Sequence, residues 1–207
     1  MQSKAGKKKL FIGITGGIGS GKSLVCSYFE EFGCRIFYAD ELAREMYITS
    51  KPLRDALVKE FGESITDEKR NISLEKFRRI VFASERNQKR VNRIVHPFVI
   101  DELMRRTGKL NARFILVEAA LIFESGFDKY LDISVEVFSP IKQRIHRVKK
   151  RNPKLTLKDI RSIIKLQMPD KEKSSMADFI INNNSDKNHL RREVRGLYKV
   201  FQQLLPA

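Results

Sequence analysis

The amino-acid sequence predicts an α/β fold in which one five-stranded parallel sheet is covered by helices on both faces, which makes three layers. Short, mainly apolar runs alternate with longer stretches that have helical spacing, and this alternation indicates a parallel sheet covered on both faces. A chain of 207 residues is also long enough to bury such a core without disulfides or metals. The predicted strands are residues 10–14, 34–38, 113–117, 133–138 and 179–181.

Predicted helices fill the segments between and after these strands. Four of them fall between the second and third strands, where a simple βαβ unit would have one, so we expect an inserted, mostly helical subdomain. The fourth is expected to be interrupted at His96-Pro97, and Thr156 with Asp159 resembles a capping box at a later helix start. The predicted helices are residues 22–32, 41–47, 52–61, 73–82, 85–106, 140–150, 156–167 and 187–205.

The segment Gly16–Ser23 matches the phosphate-binding pattern G-x-x-x-x-G-K-[ST] in full. It stands between the first predicted strand and the first predicted helix, so bound phosphates would lie at a helix N-terminus. Its four glycines can adopt backbone angles closed to other residues and turn their amides inward as an anion nest. Lys22 can reach the β- and γ-phosphates, and the Ser23 hydroxyl can hold Mg²⁺. The segment therefore predicts binding of a nucleoside triphosphate.

Composition restricts the partners and the environment of the chain. Lys and Arg number 41 and Asp and Glu 25, and the net charge of +16 attracts phosphorylated ligands or nucleic acid. The basic residues are spread over several helices without interleaved aromatic residues, which argues against nucleic acid as the main partner. No segment has the pattern of a membrane span or a signal peptide, so we expect a cytoplasmic protein. Cys26 and Cys34 are expected to be buried thiols rather than a disulfide.

Residues outside the loop favour phosphoryl transfer to a small molecule. A GTPase would need an Asn-Lys-x-Asp guanine reader, and the nearest stretch, residues 184–187, reads Asn-Ser-Asp-Lys. A motor protein would usually end its third strand in Asp-Glu, whereas residues 118–120 read Glu-Ala-Ala. Asp40 follows the second predicted strand, at the sheet edge where ligands collect in open α/β folds, and there it can orient an acceptor hydroxyl. The same position also fits a helix N-cap.

Motifs along nearly the whole chain resemble those of the dephospho-coenzyme A kinase family. The matching segments stand in the same order as in that family, from residue 10 to about residue 200. The glycine loop alone occurs in many families, whereas the His-Pro element and the ending Ala-Asp…Ile-x-Asn are together specific to this one. The matching segments are Gly13–Ser23, Tyr38–Asp40, Ile94–Pro97, Leu121–Glu124, Arg147 with Arg151, Gln167 and Ala177–Asn183.

The resemblance implies ATP-dependent phosphorylation of the ribose 3′-hydroxyl of dephospho-CoA, the last step of coenzyme A synthesis, on a P-loop kinase fold. It implies a core at about residues 10–48, 111–145 and 177–205, a helical CoA-side subdomain at about 50–108 and a small lid at about 147–170. The expected ligands are ATP, Mg²⁺ and dephospho-CoA, with no membrane or nucleic-acid partner. A monomer or a small homo-oligomer is expected.

The site residues follow from the same resemblance. Asp40, Lys22 and Arg147 are implied as catalytic, and Asp40 and His96 stand on the acceptor side. Mg²⁺ is implied to be held by Ser23 together with ATP, and by Glu118 through a water molecule. The implied ATP-binding residues are Gly17, Gly19, Ser20, Gly21, Lys22, Ser23, Leu24, Arg151 and Asn183.

The chain departs from the family pattern without losing an implied phosphate contact. Glu118 has a longer side chain than the acid expected there, and the other departures are Leu24 for Thr, Ala120 for Pro, Asn152 for Asp and Ser185 for Gly. From the residues alone, Arg147 and Arg151 would be solvated surface, and His96 would be a packed or capping residue. Two alternatives stay open: another small-molecule or nucleoside kinase, and a basic nucleic-acid-associated protein whose nucleotide site is regulatory.

Overall fold

In the computed structural model of the chain, residues 9–205 are described. They form five β-strands and ten α-helices, with 3₁₀ turns at Glu63–Ile65 and Phe127–Tyr130. The strands are β1 (Leu10–Thr15), β2 (Arg35–Tyr38), β3 (Phe114–Glu118), β4 (Ile133–Phe138) and β5 (Phe179–Asn182). The helices are α1 (Lys22–Glu31), α2 (Ala39–Thr49), α3 (Lys51–Phe61), α4 (Leu74–Ala83), α5 (Glu85–Gly108), α6 (Ile122–Ser125), α7 (Ile141–Arg151), α8 (Leu157–Lys165), α9 (Asp170–Met176) and α10 (Lys187–Leu204).

The five strands lie in one sheet in the order β2–β3–β1–β4–β5. The central strand β1 pairs in parallel with β3 and with β4, and β4 pairs in parallel with β5. In β1, β3 and β4 a single residue each is less than fully buried, because both faces of the sheet are covered. The prediction of a five-stranded parallel sheet is confirmed, and each strand end lies within one residue of its predicted position.

Helices cover both faces of the sheet, as predicted. On one face α1 and α10 pack against the strands, and a phenylalanine from each helix stacks at 5.6 Å between ring centroids. Alternate residues of the strands point to the other face. There a Cβ on Gly13 would lie 2.9 Å from Ile122 Cδ1 of α6, and Glu136 of β4 accepts a hydrogen bond from Ser174 of α9. The helices α6 and α9 therefore cover the second face.

Residue contacts divide the chain into two compact units. The sheet unit combines the described residues up to Phe37 with those from Asn111 onward, and the helical unit is Tyr38–Leu110. The sheet unit carries α1 and α6 to α10, and the helical unit carries α2 to α5. The helix α2, which falls within the core segment 10–48 expected from the sequence, clusters with the helical unit.

The helix α5 runs without a break from Glu85 to Gly108, so the predicted interruption at His96-Pro97 is wrong. Pro97 is exposed, and water can satisfy the carbonyl that lost its backbone donor. The buried stripe of α5 continues on both sides of the proline through Val91, Val95, Val99 and Leu103. Packing of this stripe outweighs the cost of about 3 kcal/mol for a proline inside a helix.

Both cysteines are buried thiols, as the composition predicts. Burial raises the pKa of Cys34 to about 12, and burial, with a smaller contribution from the charge of Glu118, raises the pKa of Cys26. Both thiols are therefore protonated near neutral pH. Within residues 9–205, no helix is long and apolar enough to cross a membrane.

Candidate active site

The glycine loop lies between the end of β1 and the start of α1. Gly16, Gly19 and Gly21 have φ angles of 145°, 76° and 100°, a region that favours glycine. Space is also restricted, because a Cβ on Gly16 would lie 2.4 Å from the Val137 carbonyl oxygen. The loop therefore has a backbone conformation, and a position at a helix N-terminus, that suit bound phosphates.

Gly17 is required for a different reason from the one that the sequence suggests. Its φ angle is not positive. The guanidinium of Arg144 fills the space beside it, and a Cβ on Gly17 would lie 1.7 Å from Arg144 Nη1. In the same way, a Cβ on Gly21 would lie 2.1 Å from Asn183 Nδ2. At both positions, a side chain would therefore displace a side chain from α7 or from the segment after β5.

Lys22 and Glu118 lie together beside the loop. Lys22 Nζ donates to the Gly16 carbonyl oxygen at 3.0 Å and lies 3.6 Å from Glu118 Oε1. Glu118 is the last residue of β3 and pairs in register with Ile14 of β1, which brings it to the carboxyl ends of the central strands. Ser23, the second residue of α1, is exposed. The structure thus brings Lys22, Ser23 and Glu118 to the region where α1 begins.

Arg147 is turned toward the glycine loop. Its Nη1 donates to the Ser20 carbonyl oxygen at 3.3 Å and to Ser139 Oγ at 3.0 Å. Its Nη2 donates to the Asn183 carbonyl oxygen and to Gln143 Oε1, each at 3.0 Å. Burial lowers the pKa of Arg147, although a guanidinium stays charged at neutral pH. The alternative of a solvated surface residue is therefore wrong for Arg147, and its contact with ATP stays a prediction.

Other predicted ATP-binding residues have varied surroundings. Asn183 is buried, and its Nδ2 donates to the Ser20 carbonyl oxygen at 2.7 Å. Ser20 is itself buried, and its Oγ has no hydrogen-bond partner among the described residues. Leu24 packs, partly buried, against the apolar core, and Arg151, the last residue of α7, is exposed. Their contacts with ATP stay predictions.

A set of buried charged side chains behind the loop was missed by the sequence reasoning. Arg144 Nη1 donates to Asp170 Oδ1 at 3.0 Å, and Lys173 Nζ donates to Glu124 Oε1 at 2.9 Å. In the sequence, Arg144 stands in a basic run and Lys173 in a run of mixed charge, and both patterns are typical of solvated helix surfaces. Glu124 and Gln167 stand in segments that match the family, and this match is the one signal in the sequence that points to this region.

Asp40 and His96 belong to the helical unit. Asp40 is exposed and is the second residue of α2, which begins directly after β2. The N-cap of α2 is Tyr38, so the alternative of an N-cap role for Asp40 is wrong, although negative charge is favourable in the first turn of a helix. His96 is half-buried inside α5, and this burial lowers its pKa. Contacts of both residues with an acceptor stay predictions.

Comparison with known proteins extends over both units. The family model of dephospho-CoA kinase matches residues 10–189, which include the glycine loop and the whole helical unit. The chain belongs to the dephospho-CoA kinase family. A dephospho-CoA kinase of Fusobacterium nucleatum is 34% identical over 185 residues, which cover 89% of this chain and 95% of that protein. A dephospho-CoA kinase of Salinibacter ruber is 35% identical over 190 residues, which cover 90% of this chain and 95% of that protein. Membership confirms the resemblance seen in the motifs and the prediction of a kinase.

Solved structures share the fold of this member of the dephospho-CoA kinase family. A crystal structure of a Thermus thermophilus protein has a TM-score of 0.79 and 28% identity, and it covers 94% of this chain and 98% of its own. The dephospho-CoA kinase of Campylobacter jejuni has a TM-score of 0.63 and 24% identity, with coverage of 93% and 97%. A shikimate kinase of Acinetobacter baumannii has a TM-score of 0.55 and 16% identity, and the match covers 99% of each chain. These similarities confirm the predicted α/β P-loop kinase fold.

Proposed function

We propose that the chain transfers the γ-phosphoryl group of ATP to the 3′-hydroxyl of the ribose of dephospho-CoA, which yields ADP and coenzyme A. The match of the family model over residues 10–189 carries the proposal, because it spans the glycine loop and the helical unit alike. The substrates are two small molecules, ATP and dephospho-CoA, and the reaction takes place in the cytoplasm. The enzyme works as a monomer or a small homo-oligomer.

ATP binds with its phosphates in the glycine loop. The positive φ angles of Gly16, Gly19 and Gly21 support this role, because such a backbone turns its amides toward one concave surface. The N-terminus of α1 adds the positive end of a helix dipole. Lys22, beside the loop, reaches the β- and γ-phosphates. Donors that are oriented before the chemical step stabilise the charge of the transition state without reorganisation.

The residues beside the loop also fit a magnesium ion. Mg²⁺ prefers oxygen ligands and keeps several of its water molecules. Ser23 offers an exposed hydroxyl, and Glu118 offers a carboxylate that is 16% exposed. Ser23 would hold the ion directly, and Glu118 would accept a hydrogen bond from a water bound to it. The ion would neutralise charge on the β- and γ-phosphates.

Asp40 orients the acceptor hydroxyl for in-line attack and takes its proton. Its exposed carboxylate two residues after the end of β2 supports this role, since ligands collect at the carboxyl ends of parallel strands. Phosphoryl transfer has a loose transition state, so positioning counts for more than early proton removal. Arg147 and Arg151 offset the phosphate charge. Asn183 meets the adenine edge, and His96 contacts the acceptor.

Substitution of Asp40 tests the acceptor side of the proposal. Asp40→Asn keeps the size of the side chain and removes its charge, so kcat should fall by about 10²–10⁴-fold. The dissociation constant of ATP should stay within about twofold of wild type, because the phosphates bind at the loop. Asp55→Asn, at an exposed aspartate of the same unit, is the control and should leave both values unchanged. An unchanged kcat in Asp40→Asn would remove Asp40 from the mechanism.

A panel of acceptors tests the substrate. Steady-state kinetics are measured with ATP, Mg²⁺ and, in turn, dephospho-CoA, adenosine, shikimate and gluconate. The kcat/KM for dephospho-CoA should exceed each of the others by at least about 10³-fold. Preference for another hydroxyl would make the chain a different small-molecule kinase. Salt-sensitive binding of DNA or RNA without turnover would favour the nucleic-acid-associated alternative.

A further inference from the structure

A buried arginine packs against the glycine loop. Arg144 of α7 is 3% exposed, and a Cβ on Gly17 would lie 1.7 Å from its Nη1. The same Nη1 donates to Asp170 Oδ1 at 3.0 Å. A charged side chain is buried at tolerable cost only when it is paired and hydrogen-bonded. The ion pair with Asp170 therefore fixes the guanidinium of Arg144 beside the loop.

The segment 166–170, which is the connection between α8 and α9 together with the first residue of α9, reaches the loop a second time. Gln167 Oε1 accepts a hydrogen bond from the backbone amide of Ile18 at 2.9 Å. Ile18 directly follows the glycine that Arg144 contacts, and Asp170, the first residue of α9, is the last residue of the same segment. One segment therefore holds two consecutive residues of the loop. Gln167 contacts Ile18 directly, and Asp170 acts on Gly17 through Arg144.

The loop needs such external support because of its own composition. Glycine loses more conformational freedom on folding than any other residue, and four of the eight residues Gly16–Ser23 are glycine. A nest of amides stabilises phosphate charge best when the amides are already oriented. The backbone amide of Ser20 donates to the Gly17 carbonyl oxygen at 3.0 Å. This hydrogen bond transmits a constraint on Gly17 to the part of the loop that precedes Lys22.

We propose that Arg144, Asp170 and Gln167 form a brace that holds the glycine loop in its phosphate-binding conformation, so that ATP affinity depends on the segment 166–170. The inference rests on the proposed function only in that ATP binds in the loop. The three brace residues are positioning residues, because their contacts are with the loop and with each other. The connection between α8 and α9 is therefore part of the nucleotide site.

Two substitutions weaken the brace with little change in volume. Arg144→Lys keeps the charge but loses the forked set of donors, and Gln167→Leu removes the acceptor for the Ile18 amide. The dissociation constant of ATP, measured by titration of the full chain without acceptor, should rise about tenfold in each variant, as expected for one lost hydrogen bond. Arg192→Lys and Gln202→Leu, at exposed positions of α10, are matched controls and should leave ATP affinity unchanged.

Hydrogen exchange separates the brace from a general loss of stability. Without nucleotide, the amides from Gly19 to Lys22 should exchange faster in both brace variants, while the amides of β4 keep their wild-type protection. If Arg144→Lys does not fold, Gln167→Leu decides the question. Unchanged ATP affinity in a folded brace variant, or weaker binding with equal loss of protection across β4, would overturn the proposal. Because ATP is the only ligand used, inactivity toward dephospho-CoA would leave this result unaffected.

Discussion

Charged side chains near the glycine loop and those of the helical unit are paired in different surroundings. Near the loop, Lys173 is 1% and Arg144 is 3% exposed, and each lies within 3.0 Å of a carboxylate oxygen. In the helical unit, Arg79 and Glu75 pair at 2.6 Å but are 77% and 76% exposed. The pairing distances are similar, so the two regions differ in burial rather than in the geometry of their ion pairs.

Desolvation makes these two kinds of ion pair behave differently. A buried pair loses the hydration of both charges, and removal of one partner leaves the other uncompensated. An exposed pair keeps its hydration and is screened by salt, so it contributes little to stability. We infer that charge near the loop fixes the position of side chains, while charge in pairs such as that of Arg79 is largely dispensable. Three substitutions test this contrast, in order of decreasing effect.

Removal of Lys173 should have the largest effect on stability. Lys173 Nζ donates to Glu124 Oε1 at 2.9 Å and to the Ala120 carbonyl oxygen at 3.3 Å. Glu124 Oε2 is buried and has no hydrogen-bond partner among the described residues. Lys173→Met would leave the Glu124 carboxylate uncompensated, and the free energy of unfolding should fall by about 3–5 kcal/mol. Urea unfolding at neutral pH measures this loss.

The double variant Lys173→Met/Glu124→Gln is the control for this prediction. It removes both charges, and the Gln side chain keeps an oxygen that can accept the hydrogen bond from the Met168 amide, which is 2.8 Å long in the structure. Much of the lost stability should therefore return. A loss below about 1 kcal/mol in the single variant, or no recovery in the double variant, would contradict the role of burial.

Glu102 of α5, in the helical unit, is intermediate in burial between the buried pairs near the loop and the exposed pair of α4. Its carboxylate is 18% exposed, and hydrogen bonds from Arg105 and Arg106 lower its pKa to about 2 from an ordinary value of 4.5. Because the folded pKa is the lower one, the stabilisation is fully present above about pH 4.5 and is lost as the pH falls toward 2. Glu102→Gln should therefore lose less stability than wild type across this window.

Chemical denaturation at a series of pH values measures this difference. The wild-type unfolding free energy should fall more steeply than that of Glu102→Gln between about pH 4.5 and pH 2. Glu68→Gln, at an exposed glutamate of the same unit, should follow the wild-type curve. Parallel curves for wild type and Glu102→Gln would show that the arginine pair does not stabilise the folded carboxylate.

The exposed pair of α4 should have the smallest effect. Arg79→Ala removes the ion pair with Glu75, while Ala and Arg both favour helix. The unfolding free energy should change by less than about 0.5 kcal/mol. Thermal unfolding at low and high salt checks the change, and salt should reduce it further. A loss above about 1 kcal/mol would remove the contrast with the buried pairs.

The strands could be predicted from the sequence, whereas some helices could not. Short, mainly apolar runs that alternate with helical stretches located all five strands, because this alternation is typical of a parallel sheet between two layers of helices. Pro97 predicted a break because proline removes a backbone donor, but the buried stripe on both sides of it keeps α5 continuous. The helices α6 and α9 were missed because four and seven residues are too short to show a helical period.

The chemistry of the glycine loop could be predicted from its own pattern, whereas Arg144 beside it could not, and Arg147 was indicated only by the family resemblance. The pattern Gly16–Ser23 located the site because phosphate binding depends on local backbone conformation and on Lys22. The restricted space beside Gly17 comes from Arg144, which is distant in sequence. Arg147 stands in a basic run typical of a solvated helix, yet packing of α7 turns it to the loop. Contacts that depend on tertiary packing leave no signal in residue spacing.

Analysis of the reaction product tests the proposed transfer most directly. The full chain is incubated with Mg²⁺, dephospho-CoA and ATP labelled in its γ-phosphate, and the product is separated and treated with a 3′-nucleotidase. We expect one labelled phosphate per coenzyme A, one ADP per labelled phosphate, and complete release of the label by the nucleotidase. Formation of ADP without labelled coenzyme A, or a label that resists the nucleotidase, would contradict transfer to the 3′-hydroxyl of dephospho-CoA.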